Sequence, residues 1–104
     1  MKNSFIPIPI SDKAIKEVRI IMNSKEVPDD YGLRIGVRST GCRSSSPTLG
    51  FDKKKETDLE FLKNEVPVYI EKKDVMFLVG YKLDFVEIED SSGFTFNKKN
   101  DKEQ

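Results

Sequence analysis

The chain has 104 residues, enough for one compact domain, and its 18 basic residues balance 18 acidic ones. Zero net charge argues against a nucleic-acid-binding domain whose affinity depends on excess positive charge. The sequence has no His, which excludes imidazole catalysis and His-ligated metal sites, and one Cys, which excludes an intrachain disulfide. No nucleophile with a base and no phosphate-binding loop can be assembled from it, so we expect no enzyme activity.

No segment has the pattern of a signal peptide or of a membrane span. Pro7 and Pro9 interrupt the apolar residues near the N-terminus. Mainly apolar stretches such as Val75–Tyr81 are far shorter than the roughly 20 residues that cross a bilayer. A lone Cys suits a reducing compartment. The sequence therefore predicts a cytoplasmic protein that does not enter a membrane.

The first quarter of the chain predicts an extended segment followed by an amphipathic helix. Alternating Ile and Pro over 5–10 indicate an edge segment, because Pro fixes φ and cannot donate a ladder hydrogen bond. Ser11 is a typical N-cap, and Asp12 is favourable in the first turn of a helix. Apolar residues then recur at helical spacing over 12–24, before Pro28. The face that we expect to be buried contains Ala14, Ile15, Val18, Ile21 and Met22.

Beyond Pro28 the apolar period changes from that of a helix to that of strands. Apolar residues alternate with polar or small ones over 33–38, which predicts a half-buried strand. The expected elements after it, in chain order, are a polar loop over 39–47, extended backbone over 49–51, a charged turn over 52–56, a strand over 59–62, a turn over 63–65, a strand over 66–70, a short helix over 72–79, a strand over 83–88, a turn over 90–93 and a strand over 94–96.

The short helix should direct Val75, Leu78 and Val79 inward and should end at Gly80. The order of elements indicates an α+β, mainly β fold with an N-terminal amphipathic helix and a second short helix. We expect one domain over 1–96. The remaining residues, 97–104, carry five charges and no large apolar side chain, so they predict a flexible polar tail.

Several spaced motifs resemble the HesB-like family, the A-type iron–sulfur cluster carriers related to IscA and SufA. The resemblance spans about residues 8–100, and Ile10-Ser11 and Ala14 lie where the family begins its helix. The motifs that carry it are Gly32-Leu33-Arg34-Ile35-Gly36-Val37-Arg38-Ser39-Thr40-Gly41-Cys42, Leu49-Gly50-Phe51, Val66-Pro67-Val68-Tyr69-Ile70, Phe77-Leu78-Val79-Gly80, Leu83-Asp84-Phe85-Val86 and Gly93-Phe94-Thr95-Phe96.

The resemblance implies a HesB-like pseudo-barrel or β-sandwich and a role in iron–sulfur cluster assembly. Such a carrier receives a [2Fe–2S] or [4Fe–4S] cluster, or iron, from an assembly scaffold and passes it to apo-protein recipients. In the family three Cys supply the ligands, and clusters lie between subunits. By this resemblance Cys42 is the cofactor-binding and metal-binding residue, and the chain is expected to be a homodimer or a monomer.

The sequence departs from the family pattern around its ligands. The family's Cys-Gly-Cys would fall just after Gln104, so Cys42 fills the one ligand position present, and Arg43-Ser44 replaces the usual Ser-Gly. We therefore expect a degenerate member with one ligand Cys. The other ligands would come from glutathione, from a partner protein or from an oxygen donor such as Ser44 or Asp52. Arg38 or Arg43 would favour the thiolate if its guanidinium lay close to the sulfur.

Two interpretations remain open at the level of the sequence. In the first the chain is a carrier that binds iron or a cluster through Cys42. In the second it has lost metal binding and serves as a protein-interaction module, with Cys42 an incidental thiol. The other candidates favour structural roles: Lys53-Lys54-Lys55 indicates a solvated turn, Asp84 and Glu87 an exposed strand surface, and the aromatic residues a core or interface, namely Phe5, Phe51, Phe77, Phe85, Phe94 and Phe96.

Overall fold

The computed structural model of the chain describes residues 6–24, 26–40 and 44–98. Two helices and six strands account for most of them, which confirms the α+β, mainly β prediction. In chain order they are α1 (Asp12–Asn23), β1 (Gly32–Thr40), β2 (Ser44–Asp52), β3 (Asp58–Lys63), β4 (Val66–Glu71), a 3-10 turn (Lys72–Asp74), α2 (Val75–Leu78), β5 (Tyr81–Ile88) and β6 (Ser91–Lys98).

The strands form two open sheets that contribute to one hydrophobic core. The larger sheet has the order β2-β1-β4-β3, and the smaller one pairs β5 with β6. Strand β1 is antiparallel to β2 and parallel to β4, where Leu33 lies opposite Val68. Gly32 permits this close packing, because a Cβ atom there would lie 2.7 Å from Cε2 of Tyr69 and 2.8 Å from the Pro67 carbonyl oxygen.

Helix α1 is joined to the smaller sheet at its N-cap residue, Ser11. The Ser11 hydroxyl oxygen accepts a hydrogen bond from the Ala14 N–H at 3.1 Å and donates one to Oδ1 of Asp84 at 2.6 Å. The first of these is the predicted N-cap. Ala14, Ile15 and Val18 are buried as expected, while Ile21 and Met22 are only partly buried. The helix therefore packs against β5 through its first two turns more than through its last.

The core draws on both sheets, on both helices and on the extended segment before α1. Its buried apolar members are Ile8, Ile10, Ala14, Ile15, Val18, Leu33, Ile35, Phe61, Val66, Val68, Ile70, Leu78, Leu83 and Phe85. The prediction that Val79 faces inward is wrong, since 41% of this residue is exposed. Helix α2 ends at Leu78, and the chain turns at Val79 toward β5, which carries that side chain away from the core.

The predicted polar loop over 39–47 is wrong for most of its length. The ladder between β1 and β2 runs from the pair Gly32 and Asp52 to the pair Thr40 and Ser44. Its hydrogen bonds come from the backbone, so strands continue through residues whose side chains show no apolar alternation. Only 41–43 separate the two strands, and these residues lie outside the described part.

Two other boundaries differ from the prediction for the same reason. The expected turn over 90–93 is shorter, because Ile88 pairs with Ser91 and only two residues connect β5 to β6. The expected tail starts too early, because Asn97 and Lys98 belong to β6 and pair with Lys82 and Tyr81. Residues 99–104 of that tail lie outside the described part, so their flexibility stays a prediction.

The turn between β3 and β4 stores backbone strain. Lys63 pairs with Val66, and the two residues between them, Asn64 and Glu65, have φ angles of 49° and 70°. Positive φ at both central positions is the requirement of a type I′ turn, in which Asn-Gly is the preferred sequence. Asn tolerates this region, whereas the Cβ of Glu makes it unfavourable.

Replacing Glu65 with Gly should stabilise the chain by about 0.5–1 kcal/mol, because relief of strain exceeds the entropy that Gly adds to the unfolded chain. Chemical denaturation of both proteins measures this difference. Glu56→Gly is the matched control, since Glu56 is an exposed turn residue outside the positive-φ region and the same change there should not stabilise. Equal or lower stability of Glu65→Gly would contradict the expectation.

Candidate functional site

The β1–β2 hairpin carries the loop that contains the single Cys of the sequence. Leu33, Ile35 and Val37 direct their side chains to the core, while Arg34 and Arg38 lie on the opposite face of β1. This alternation is the period-2 pattern seen in the sequence. Because the ladder is continuous over nine residues of each strand, it holds the two ends of the loop at one strand spacing.

The residues of β1 and β2 nearest the loop, among those with described side chains, form an exposed polar surface. Ser39 lies opposite Ser45 with 3.4 Å between their hydroxyl oxygens, and Arg38 lies opposite Ser46. All four residues are exposed. The hairpin therefore ends in hydroxyl groups on one face and a cation beside a hydroxyl on the other, groups that can donate hydrogen bonds to an anionic ligand.

The predicted ligand Cys42 lies outside the described residues, as do Gly41 and Arg43. The proximity of either Arg to the sulfur therefore stays a prediction. Of the alternative oxygen donors, Asp52 lies at the far end of the hairpin, opposite Gly32, while Ser44 begins β2. The seven residues of β2 between these two positions place Asp52 away from the loop.

The opposite end of the hairpin is held by a bidentate ion pair. Arg34 Nη1 lies 2.8 Å from Oδ1 of Asp58, and Nη2 lies 2.6 Å from Oδ2. Nη2 also donates to the Lys53 carbonyl oxygen at 2.8 Å, and Nε lies 3.4 Å from Oδ2 of Asp52. The Lys55 N–H donates to Oδ2 of Asp58 at 2.6 Å, so one carboxylate joins β1, the β2–β3 loop and the start of β3.

Burial and hydrogen bonding shift the pKa of Asp58 in opposite directions. The Asp58 side chain is fully buried, which by itself would raise its pKa. The hydrogen bonds from Arg34 and from the Lys55 N–H outweigh this effect, so the pKa of Asp58 lies below its usual value. Its hydrogen bond to Asp58 raises the pKa of Arg34 in turn. Both groups are therefore charged across the neutral range.

The Lys run after β2 behaves as the predicted solvated turn. Nζ of Lys53 lies 3.6 Å from Oδ2 of Asp30, and Nζ of Lys54 lies 3.9 Å from Oε1 of Glu60. Both Lys side chains are about half exposed or more. Ion pairs of this kind contribute little to stability. Lys53 and Lys54 are thus exposed, and their charge is partly neutralised.

Asp84 has a structural role that the sequence did not reveal. Its Oδ1 accepts hydrogen bonds from the Ser11 hydroxyl at 2.6 Å and from the Phe85 N–H at 2.8 Å. The Ser11 hydrogen bond is the main reason that the pKa of Asp84 is lowered. Glu87, by contrast, is exposed. The carboxylate therefore supports the cap of α1, a contact between residues far apart in the chain.

The aromatic side chains that the structure describes pack as predicted. Phe85 is buried and meets Phe94 edge to face at a centroid distance of 4.9 Å. Phe77 and Tyr81 stack in a tilted arrangement at 5.2 Å. Phe51, Phe77, Phe94 and Phe96 are partly buried against the core, and Phe5 lies outside the described part. These aromatic residues therefore stabilise the fold, as the sequence predicted.

Within residues 6–24, 26–40 and 44–98, no three His, Cys, Asp or Glu side chains converge on a point that could hold a metal ion. Likewise, none of the helices described there is long and apolar enough to cross a membrane. The candidate site is therefore the β1–β2 hairpin, whose loop holds Cys42. The described part of that site consists of the polar side chains near the strand ends, on Arg38, Ser39, Ser45 and Ser46.

Comparison with known proteins decides the family. A family model described as iron–sulphur cluster biosynthesis matches residues 6–104. The Danio rerio protein named iron-sulfur cluster assembly 1 homolog, mitochondrial is 40% identical over 94 residues, which are 89% of this chain and 71% of that protein. This chain belongs to the iron–sulphur cluster biosynthesis family. The Homo sapiens protein of the same name is 35% identical over 94 residues, with the same coverage of each chain.

Solved structures confirm the HesB-like fold of this family member. IscA with a [2Fe-2S] cluster matches with a TM-score of 0.74 and 22% identity, over 89% of this chain and 86% of that one. SufA of Escherichia coli, involved in biosynthesis of iron-sulfur clusters, matches with a TM-score of 0.74 and 23% identity, over 100% and 90%. The family model and the relatives confirm the resemblance seen in the motifs, and these structures confirm the fold that it implied.

Sequence reasoning singled out the loop that contains Cys42 but missed the ion pair of Arg34 and Asp58 at the other end of the hairpin. Arg34 and Asp58 are 24 positions apart, and each shows only as a charged residue at a strand position or beside a turn. The spacing of charges along one chain does not indicate which of them meet. The serine pair at the loop end was likewise absent from the prediction, because it depends on the register of the ladder.

Proposed function

We propose that this family member carries an iron–sulfur cluster, or iron, as its cargo, and that Cys42 is a ligand. Family membership and the hairpin geometry support the proposal together. The longest motif that resembles the family ends at Cys42. The ladder continues to the pair Thr40 and Ser44 on either side of its loop. A ligand held between two paired strand ends is confined to a small region of the surface, which favours capture of a cluster.

Iron in such clusters prefers soft sulfur ligands, so the sulfur of Cys42 is the suitable donor in this chain. One thiolate per chain under-ligates a [2Fe–2S] core. We propose that two copies hold one cluster between their Cys42 residues and that a small thiol such as glutathione completes the ligand set. Exposed Arg38 lies four positions before Cys42, and with the hydroxyl groups of Ser39 and Ser45 it can stabilise the negative charge of such a complex.

The partners we propose are an assembly scaffold that donates the cluster and apo-proteins that receive it. Transfer between proteins needs an exposed cluster and weak ligation, and the exposed strand ends beside the loop meet the first condition. We further propose that the chain acts as a carrier without turnover of a substrate. Both the cytoplasm predicted from the sequence and the mitochondrion named for the relatives keep thiols reduced.

Cys42→Ser should abolish cluster binding. After anaerobic reconstitution with ferrous iron, sulfide and glutathione, the wild-type chain should show visible absorption and retain iron and sulfide after desalting. The variant should retain neither, because a hydroxyl remains protonated and is a poor ligand for these irons. Binding to wild type should also weaken as the pH falls below the pKa of Cys42, since ligation requires the thiolate.

Ser45→Ala is the matched control for the loss of a polar atom near the loop. It removes one hydroxyl beside the proposed cargo and no ligand sulfur, so absorption should be reduced at most and should not be abolished. The melting temperature of the metal-free Cys42→Ser chain should match that of wild type. Equal iron and sulfide in wild type and Cys42→Ser would mean adventitious binding, and the interaction-module interpretation would then replace the carrier.

A further inference from the structure

The outer edge of β6 presents a row of backbone donors and acceptors. The Leu83 N–H bonds to the Pro9 carbonyl oxygen at 2.9 Å, and the Leu83 carbonyl oxygen accepts from the Ser11 N–H at 3.0 Å. Leu83 therefore directs both groups away from β6. Opposite residues in an antiparallel ladder alternate between pairs that exchange hydrogen bonds and pairs that do not. Phe96, opposite Leu83, must then direct its own N–H and C=O to the outer edge.

The same alternation assigns every second residue of β6 to that edge. The residues are Ser92, Phe94, Phe96 and Lys98. Within the described part of the chain β6 pairs with β5 alone, so these groups have no strand partner there. A sheet of two strands is marginal by itself, and exposed edges of this kind recruit further strands.

The two edges of the larger sheet carry features that discourage pairing, and β6 does not. Strand β2 has Pro47 near its middle, which removes a donor. Strand β3 has only six residues, and three of them are charged, namely Asp58, Glu60 and Lys63. Strand β6 has eight residues, no Pro and one charge, on Lys98 at its end. Among these edges β6 is the one suited to accept another strand.

We propose that β6 pairs antiparallel with β6 of a second copy of this chain, with Thr95 on the two-fold axis. In that register Phe94 lies opposite Phe96 of the second copy, and Ser92 lies opposite Lys98. All four outward residues then form hydrogen-bonded pairs, and the two small sheets join into one of four strands. A shift of register in either direction would leave some of these groups without a partner.

The side chains of β6 are self-complementary in this register. Thr95 meets Thr95 at the axis, a favourable cross-strand pair, and Gly93 meets Asn97. Lys98 meets Ser92, so no like charges of the described strand lie opposite each other. Phe94 and Phe96 pack against the core, and the contact of Phe94 with Phe85 holds the edge in place before a partner arrives. An isologous interface of this kind needs no other protein.

This interface is independent of the proposed function. It contains no residue of the hairpin loop, so Cys42→Ser should leave it intact. Loss of cluster binding and loss of self-association can therefore be observed separately.

Sedimentation equilibrium and amide hydrogen exchange of the metal-free chain test the proposal. Wild type should associate to a dimer, and the Phe94 and Phe96 amides should exchange more slowly at concentrations where the dimer forms. Thr95→Lys places two ammonium groups across the axis and should raise the dimer dissociation constant at least about tenfold. Its monomer should fold normally. Thr95 lies opposite Asp84 in the ladder with β5, so the new ammonium group would lie opposite a carboxylate.

Gly93→Lys is the matched control. It adds the same charge to the same face of β6, a Cβ at Gly93 meets nothing within 4 Å, and the new Lys would face Asn97 of the second copy. It should dimerise like wild type. A second edge variant, Ser92→Pro, removes an outward donor and should weaken the dimer if Thr95→Lys fails to fold. A wild type that stays monomeric, a dimer insensitive to both edge variants, or protection of Phe94 and Phe96 in the monomer would overturn the proposal.

Discussion

Val18→Asp should leave the chain unfolded at room temperature. Val18 is fully buried in the middle of α1, and its replacement loses about 1.5–3 kcal/mol of apolar burial. The incoming carboxylate would also be buried without a partner, at a further cost of several kcal/mol. A domain of this size is stabilised by only about 5–15 kcal/mol. Circular dichroism and a thermal melt of the variant should show no cooperative transition.

Lys16→Asp is the matched control for this substitution. It introduces the same carboxylate two positions earlier in α1, where the residue is exposed. Surface changes of this kind usually alter stability by less than about 0.5 kcal/mol. A soluble Val18→Asp chain with the melting curve of wild type would show that the buried face of α1 is assigned incorrectly.

Asp58→Asn should destabilise the chain by about 3 kcal/mol, because it leaves the Arg34 guanidinium charged and without its bidentate partner. The amide can accept with only one oxygen, so the Lys55 N–H or an Arg34 nitrogen loses its acceptor as well. Urea denaturation at neutral pH measures the difference. Asp30→Asn is the control, since Asp30 pairs with Lys53 at 3.6 Å on the surface and should contribute less than about 1 kcal/mol.

The same pair should make stability depend on pH in the acid range. The pKa of Asp58 is lower in the folded chain than its ordinary value, so the unfolded chain binds the proton first. The contribution of Asp58 is fully present above a pH of about 4, the ordinary Asp pKa, and is lost as the pH falls through the lower pKa of the folded chain. Asp58→Asn should show a shallower loss of stability on acidification than wild type. Parallel curves for the two proteins would rule out this role.

Local patterns in the sequence were enough to predict much of this fold. Helix α1 was predicted with its cap and its buried face, because the spacing of Ala14, Ile15 and Val18 reports directly on which side of a helix is apolar. Strands β3 and β4 were predicted with the turn between them, because two short apolar runs on either side of a polar segment are also a local signal. The family motifs, from Gly32–Cys42 to Gly93–Phe96, indicated the fold and the role in cluster assembly.

What the pattern missed were contacts between residues far apart in the chain. The ends of β1, β2 and β6 are polar, and only the register of their ladders shows that they continue to Thr40, from Ser44 and to Lys98. Backbone hydrogen bonds form them, and these leave no trace in side-chain polarity.

The charged contacts were also missed because they join residues far apart in the chain. The sequence by itself determined that Cys42 is the one thiol and that it ends the family motif. The tertiary structure decided which charged side chains form buried or capping contacts. Arg34 pairs with Asp58, 24 positions away, and Asp84 accepts a hydrogen bond from Ser11, 73 positions away. From the sequence alone, a carboxylate could equally be exposed to solvent, support a helix cap or form an ion pair. Only the packing of the two sheets and α1 brings each of them to its partner, because the energy of a charge depends on what surrounds it in space.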